Sequence, residues 1–457
     1  MSQEQMEKIV ALAKRRGFVY PGSEIYGGLA NSWDYGPMGA QLRKNIKDSW
    51  WRTFVEERED MVGLDGAILM NPKVWEASGH LTTFNDPLVE DKITHKRYRA
   101  DHLIEEVLGE STTGMTIEAM GELIKERNLK SPEGNELTEP KHFNLMFNTF
   151  IGPVDSEAEK VYLRPETAQS IFVNFKNVID TTRMRVPFGI AQIGKAFRNE
   201  ITPGNFIFRT LEFEQMEIEY FIEEDKWEEL FETWLTSMKN WAVQIGLDAD
   251  KLTDLEVSKE ELAHYSKRTI DLEYEFPFGV KELWGLAYRT NFDLASHQEH
   301  SGETLTYTDP QDNKRKYLPH VLEPTFGVDR TLLALLVTAY EEEELEGGDV
   351  RIVLRFKPEI APVQVAIFPL MKKDELMSLS GSIYQNLKKM FRTDFDEGGS
   401  IGKRYRRYDE IGTPYCITVD FDSLEDSSVT VRERDSMTQE RVNISDLGKW
   451  LGSRINQ

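Results

Sequence analysis

Apolar positions recur along this chain in two rhythms, and the rhythms divide it into elements. In GIAQIGKAFRNEITPGNFIFRTLEFEQMEIEYF, from Gly189 to Phe221, two β-prone stretches flank Thr202-Pro203-Gly204-Asn205. Proline then glycine suits a turn that needs φ near about −65° followed by a positive φ, so the segment predicts a long antiparallel hairpin. Side chains two apart share a face of a strand. One arm therefore groups Arg198 with Glu200; the other groups Phe213, Gln215 and Glu217 and sends Met216, Ile218 and Tyr220 toward a core. A helical rhythm follows YLRPETAQ, where Ile171, Phe172, Phe175, Val178 and Ile179 make one apolar stripe and Pro165 and Glu166 sit where a helix would begin. In VLEPTFGVDRTLLALLVTAY, from Val321 to Tyr340, an extended stretch breaks at Gly327 and enters an apolar helix with Arg330 in its first turn.

Long helices mixed with alternating strands over residues 1–349 predict an α+β domain, an antiparallel sheet flanked by helices rather than a regular βαβ series. Residues 86–140 are polar, contain SPEGNELTEP and read as a surface insertion. The acidic tract EEEELEGG at 341–348 reads as a solvated helix end and linker, which places a domain boundary close to Asp349. Residues 350–457 then predict a small α/β domain: a strand from Val363 to Leu370, a helix from Lys373 to Phe391, the basic segment GGSIGKRYRRYDEIGTP, and strands at Tyr415–Phe421 and Val429–Arg434.

Length and composition sharpen this division. A chain of 457 residues with 40% hydrophobic content supports two or three domains. The net charge of −24 argues against a protein that coats nucleic acid or anionic membrane indiscriminately, so any polyanion must be bound locally. The acid excess lies in the first 349 residues; residues 350–457 are near neutral, with 17 Lys+Arg against 16 Asp+Glu. The single cysteine, Cys416, rules out an internal disulfide or a multi-cysteine zinc site and favours a reducing compartment. No apolar run is long enough for a membrane span, and MSQEQMEKIV lacks the features of a signal peptide, so a cytoplasmic enzyme without membrane partners is expected.

Two features carry candidate chemistry. The polar hairpin face suits a binding floor as well as a solvated face with cross-strand ion pairs. Arg330 stands where the helix macrodipole disfavours a cation, so it calls for an anion, and phosphate is the natural one at a helix N-terminus beside a guanidinium. His297-Gln298-Glu299-His300 lacks HExxH spacing and a third ligand, and reads as ordinary core or surface histidines.

In order along the chain, these strings resemble the three signature motifs of the class II aminoacyl-tRNA synthetases, and specifically the homodimeric glycyl-tRNA synthetase family. NIKDSWWRTFVEERED through ILMNP is similar to motif 1, the FRNE hairpin to motif 2 and the GVDR helix to motif 3; RPETAQ, EFEQME, KELWG, EPTFG and IGKRYRRYDEIGTPYCITVDFDS extend the likeness across the chain. The resemblance implies a class II antiparallel sheet flanked by helices, a C-terminal α/β anticodon-binding domain, a homodimer, and ATP-dependent activation of glycine followed by transfer to the 3′ end of tRNA(Gly). The amino-acid carboxylate is already ionised, so alignment and charge neutralisation carry the chemistry and the site is expected to be arginine-rich and histidine-free.

By this resemblance Arg198, Glu282 and Arg330 are the catalytic residues, with Arg198 on the α-phosphate and Arg330 on the γ-phosphate. Glu200 takes the adenine amino group, Phe213 stacks on the ring, and Glu282 lies near a bound Mg²⁺. ATP is bound by these together with Asn199, Phe208, Arg209, Thr210, Leu211, Glu212, Leu283, Gly327, Val328 and Asp329. Glycine is bound by Arg99, Glu166, Phe213, Glu214, Gln215, Met216, Glu217, Arg289, Glu323, Pro324, Thr325, Phe326 and Gly327; Glu166, Glu217 and Glu323 surround the ammonium and Arg289 serves the carboxylate. In the basic segment Lys403, Arg404, Arg406 and Arg407, interleaved with Tyr405 and Tyr408, contact tRNA.

The chain departs from the family pattern in three ways. Thr325 stands where serine is usual, and Leu211 where arginine is common. Asp91, Thr94, Ser131 and Gly134 occupy the places of two CxxC pairs, so the insertion is expected to fold without zinc, by packing. Two rivals are a catalytically decayed nucleic-acid-binding accessory protein, like the accessory subunit of mitochondrial DNA polymerase, and a class II synthetase for another amino acid. Retention of Arg198, Glu200, Glu282 and Arg330 weighs against the first; RPETAQ, EFEQME and EPTFG weigh against the second.

Overall fold

The computed structural model describes residues 3–112, 114–153, 159–201, 204–312 and 314–455. Helices α1 (Gln3–Arg15) and α2 (Pro37–Trp51) precede the edge strand β1 (Met61–Gly63). Helix α3 (Ala168–Thr182) leads into β2 (Phe188–Phe197) and β3 (Glu212–Ile222). Then come α4 (Trp227–Ile245), β4 (Leu252–Glu256), β5 (Arg268–Phe276), β6 (Gly279–Thr290), α5 (Phe292–Ser301), β7 (His320–Gly327) and α6 (Val328–Ala339). The seven strands form one sheet in the order β4-β5-β6-β7-β3-β2-β1, antiparallel except for β1 against β2. This is the α+β arrangement the sequence predicts.

Alternation along β3 decides which face is core. Met216, Ile218 and Tyr220 join Trp284 and Phe326 in a cluster closed by Trp50 of α2 and Trp234 and Trp241 of α4. On the other face, beyond the polar floor, Phe221 and Phe188 pack with Val321 against Phe172 and Phe175 of α3. The hairpin connection is longer than a tight turn: β2 ends at Phe197 and β3 begins at Glu212. Thr202 and Pro203 of the predicted turn lie outside the described residues. Positive φ falls on Asn205 (55°) and Phe206 (60°) rather than on Gly204, and Phe206 turns inward to meet Trp33 edge-on at 4.8 Å.

The insertion has a three-stranded sheet (Asn85–Glu90 between Arg97–Arg99 and Lys141–Asn144), two helices, and its own apolar cluster around Val89, Leu103, Ile104, Met120 and Ile124. Packing is only part of what holds it. Asp91 Oδ1 accepts from the amides of Ile93 (2.8 Å) and Thr94 (2.9 Å), and Oδ2 accepts from Ser131 Oγ (2.5 Å) and Asn135 Nδ2 (3.0 Å). One carboxylate thus ties together the two loops that the sequence marked as knuckle positions.

The acidic tract is not a helix end and linker. Tyr340–Glu344 forms β8, paired antiparallel with β9 (Val350–Leu354). Basic side chains make the strand tolerable: Arg351 holds Glu343 (2.7 Å), Arg355 holds Glu341, and Lys8 of α1 holds Glu342 (3.1 Å). The C-terminal region continues with β10 (Val365–Pro369), α7 (Asp374–Leu387), β11 (Thr393–Phe395), α8 (Ile401–Asp409), β12 (Tyr415–Val419), β13 (Ser428–Glu433), β14 (Gln439–Asn443) and α9 (Leu447–Ile455). Its sheet, β11-β10-β12-β13-β14, is mixed, with β10 parallel to both neighbours. The main apolar cluster crosses the junction, with Phe18 against Phe356. Among the described residues no helix is long and apolar enough to cross a membrane.

Candidate active site

A pocket opens over β3, β6 and β7, lined by Arg198, Glu200, Phe208, Arg209, Thr210, Phe213, Gln215, Glu282, Leu283, Thr325, Gly327 and Arg330. The strand pleat creates it: Gln215 pairs with Gly327 and Glu217 with Thr325, so side chains of alternate parity stand on one face.

One end is cationic. The Arg198 guanidinium lies 5.3 Å from the ring centres of both Phe84 and Phe213, and its Nε donates to the Pro165 carbonyl (3.0 Å). Arg330 packs on the Phe208 ring at 4.5 Å and bonds the Glu282 carboxylate at 3.0 Å. The first-turn arginine therefore has an anion beside it, a carboxylate at the pocket mouth. The Arg330 guanidinium beside it lowers the pKa of the exposed Glu282 carboxyl. Asp271, behind it on β5, is pushed up to about 7, first by burial and then by Glu282 and Glu273. Among the described residues no group of three or more His, Cys, Asp or Glu is placed to hold a metal by itself.

Behind Gln215 and Thr325 of the lining lies a closed acid cluster. Glu217 Oε2 accepts from the Thr167 amide (2.9 Å) and the Thr167 hydroxyl, and Oε1 accepts from Gln215 Nε2 (2.7 Å). Glu166 accepts from Gln169 Nε2 (3.0 Å) and pairs with His80 Nε2 (3.3 Å). Arg289, 1% exposed, donates to Asp293 twice at 2.8 Å and to Glu323 at 2.7 Å. Burial raises the Glu217 and Glu323 carboxyls above the usual range; Glu166 also suffers burial, but His80 and then Arg289 bring it below. The expectation of a histidine-free site is therefore corrected. His80 stands inside the acid cluster, and His297 supports it from α5 by bonding Gln169 Oε1 (2.8 Å).

Several residues expected to bind ATP or glycine have side chains elsewhere, mostly because strand alternation turns them away. Met216, Phe326 and Val328 are buried in the main core, and Pro324 shares their parity. Glu214 and Asp329 border the pocket, but the Glu214 carboxylate turns to α2, where Arg43 and Lys47 each hold it at 3.0 Å. Asp329 accepts from the Tyr35 hydroxyl and the Glu214 amide (2.8 Å), so it ties motif 3 to motif 2. Leu211 and Glu212 line an adjoining cavity with Trp33, Phe147 and Leu163, so the Leu211 departure falls outside the main pocket. Arg99 is held by Asp86 (2.8 Å) and Asp101 (2.6 Å) on the insertion. Asn199 is fixed through its amide to the Leu145 carbonyl (2.8 Å). Arg289 is committed to carboxylates rather than presented to one of a ligand.

The basic segment forms helix α8, and its two faces differ. Arg404, 3% exposed, donates to the carbonyls of Pro369, Asp396, Leu370 and Gly399. Tyr408 is buried and bonds Asp394 (2.6 Å), while Tyr405 bonds Thr418 (2.6 Å). Arg404 and Tyr408 are buried in support of the domain, which corrects the expectation for both, while Tyr405 is half-buried. Lys403, Arg406 and Arg407 line a shallow outer hollow with Arg16.

Sequence reasoning missed Thr167, Gln169 and Asp293, the partners of the acids, and His80 and Phe84 from the stretch before the insertion. Thr167 and Gln169 stand inside RPETAQ, a signal already in hand; nothing local marks His80 or Phe84.

Residues 148–339 match the tRNA synthetase class II core domain (G, H, P, S and T), and residues 364–454 match an anticodon binding domain. Those matches, on an antiparallel sheet that carries an arginine-lined pocket and is joined to that second domain, define a class II aminoacyl-tRNA synthetase. The glycine–tRNA ligase of Acetivibrio thermocellus is 56% identical over 461 residues, covering 99% of each chain. Those of Caldanaerobacter subterraneus subsp. tengcongensis (55%, 98% of each chain) and Clostridium tetani (54%, 99% of each chain) are similarly alike. The chain belongs to the glycine–tRNA ligase family.

Proposed function

We propose that this chain joins glycine to tRNA(Gly) in two steps at the pocket over β3, β6 and β7: attack of the glycine carboxylate on the α-phosphorus of ATP, releasing pyrophosphate, then transfer to the 3′-terminal ribose. The observation that carries the reading is the arrangement of charge, with Arg198, Arg209 and Arg330 lining the pocket and the buried acids Glu166, Glu217 and Glu323 clustered behind Gln215 and Thr325 of its lining. The carboxylate is already a nucleophile, so no general base is required; the protein aligns the reactants and neutralises charge at phosphorus. Arg198, braced by Phe84 and Phe213, holds the α-phosphate. Arg330 exchanges Glu282 for the γ-phosphate, with Arg209 alongside; Glu200 takes the adenine amino group and Phe213 offers a stacking surface. Mg²⁺ would be held by Glu282 together with phosphate oxygens, the usual pattern of one or two carboxylates plus substrate phosphates, and would neutralise the leaving pyrophosphate.

Glycine offers no side chain to grip, so selection rests on the ammonium and on excluding anything larger. Glu217, Glu323 and Glu166 receive the ammonium, and Thr325, opposite Glu217, narrows the space beside it. Lys403, Arg406 and Arg407 contact the tRNA. A homodimer built around α2 and a cytoplasmic setting complete the reading. The test is ATP–pyrophosphate exchange with glycine, alanine and serine. Exchange that depends on glycine alone is expected; comparable exchange with alanine or serine, or none with glycine, overturns it.

A further inference from the structure

Beneath the acid cluster, one carboxyl group has no role in the reading above. Glu219 is fully buried, 0% exposed, and neither of its oxygens has a hydrogen-bond partner. It stands two residues beyond Glu217 on the same face of β3, the last polar residue before that face becomes apolar at Phe221. The register that pairs Glu217 with Thr325 and Tyr220 with Leu322 sets Glu219 opposite Glu323 on β7.

The charged groups around it are Glu217 on its own strand, Glu323 from β7, Arg289 from β6 and Asp293 from α5. Arg289 is the one cation among them, and its hydrogen bonds go to Asp293 and Glu323. His80 pairs with Glu166 at 3.3 Å. An unpaired carboxylate without donors is costly in an interior, and a group in that position takes up a proton instead. Burial and then the charge of Glu323 hold the Glu219 carboxyl well above the usual carboxylate range, with Arg289 opposing.

Resting on the assignment of the acid cluster to the glycine ammonium, we propose that Glu219 is a positioning residue that holds a proton in the empty site and releases it to solvent as the ammonium enters, so that glycine binding is coupled to proton release. The exchange balances in charge: one ammonium enters, one Glu219 carboxylic acid becomes a carboxylate, and one proton leaves. The ionised Glu219 then reinforces the negative field that Glu217 and Glu323 present to the ligand, without touching it.

The test uses the full chain. Glycine is titrated calorimetrically in phosphate and in Tris at one pH near neutrality, and the glycine KM in pyrophosphate exchange is followed from about pH 6 to about pH 8. The wild type is expected to release a fraction of a proton up to one, with the glycine KM falling by up to about tenfold per pH unit while the ATP KM stays flat. Glu219→Gln, which keeps the shape and cannot release a proton, is expected to lose the release and flatten the profile; a purely structural role would lower its melting temperature and leave the proton count intact. Buffer-independent heats in the wild type overturn the proposal, as does equal release from E219Q. Should E219Q fail to fold, Glu219→Met takes its place, because the Glu217 and Glu323 carboxyls are raised as well and only loss of release on replacing Glu219 assigns the proton to it. Loss of glycine-dependent exchange altogether would instead refute the functional reading.

Discussion

Arg43 on α2 reaches Glu214 of β3 (3.0 Å) and Asp329 of α6 (3.2 Å) at once, and lies 4.0 Å over the Tyr35 ring. A single guanidinium therefore fastens the helix of motif 1 to the strand of motif 2 and the helix of motif 3. All three partners are largely buried, and burial together with Asp329 raises the Tyr35 pKa well above its usual value. Removing the cation leaves Asp329 without its counter-charge and Glu214 with Lys47 alone. Arg43→Ala is expected to cost roughly 3 kcal/mol of stability and to lower kcat for adenylate formation, since Asp329 and the Glu214 amide set the position of Arg330. Urea unfolding and pyrophosphate exchange measure the two effects.

Glu217 lies in the acid cluster, where Gln215 of the pocket lining reaches it. Its carboxylate is held by Thr167 and Gln215 and meets no arginine directly. Glu217→Ala is expected to raise the glycine KM by tenfold or more, about 1.4 kcal/mol per factor of ten, and to change the ATP KM little. Equal losses for both substrates in pyrophosphate exchange would refute the assignment.

Asp91 should make the insertion acid-sensitive and indifferent to chelators. Its carboxyl is held well below the usual range: burial opposes ionisation, but Ser131, the Thr94 and Ile93 amides and Asn135 outweigh it. A depressed pKa contributes stability above the unfolded value near about 3.9, and that contribution is lost as pH falls below it. Amide hydrogen exchange at Ile93 and Thr94 is expected to quicken in acid and in Asp91→Ala at neutral pH. EDTA is expected to leave the melting transition unchanged; a chelator-induced loss of stability would show a metal where the carboxylate stands.

The two sides of α8 make separable predictions. Arg404→Ala removes a buried guanidinium that caps four carbonyls and is expected to destabilise the C-terminal domain by roughly 2 to 4 kcal/mol. Lys403→Ala with Arg406→Ala is expected to leave the melt nearly unchanged, to raise the KM for tRNA and to weaken its dependence on salt. Glycine-dependent pyrophosphate exchange, which needs no tRNA, should be unaffected in the second variant.

Much of the site was legible because it rests on local rules. Strand alternation put Phe213, Gln215 and Glu217 on one face and Met216, Ile218 and Tyr220 in the core, and the same rule, carried one step further, reaches Glu219. The acidic tract misled because its partners are remote: Arg351 and Arg355 neutralise it across a hairpin and Lys8 does so from the first helix. The basic hexapeptide misled because charge alone does not report direction, and a helix turns Arg404 inward while Arg407 stays at the surface.

The sequence by itself determined the elements, the parity of each strand and the chemical types brought to the site, since those depend on spacing along one chain. Only the tertiary structure decided which charges are paired. Arg289 with Asp293 and Glu323, His80 with Glu166, and Glu219 with nothing are relations between segments far apart in sequence. The physical reason is desolvation: a carboxylate's state depends on what surrounds it after burial, and that neighbourhood exists only once β3, β6, β7 and α5 have come together.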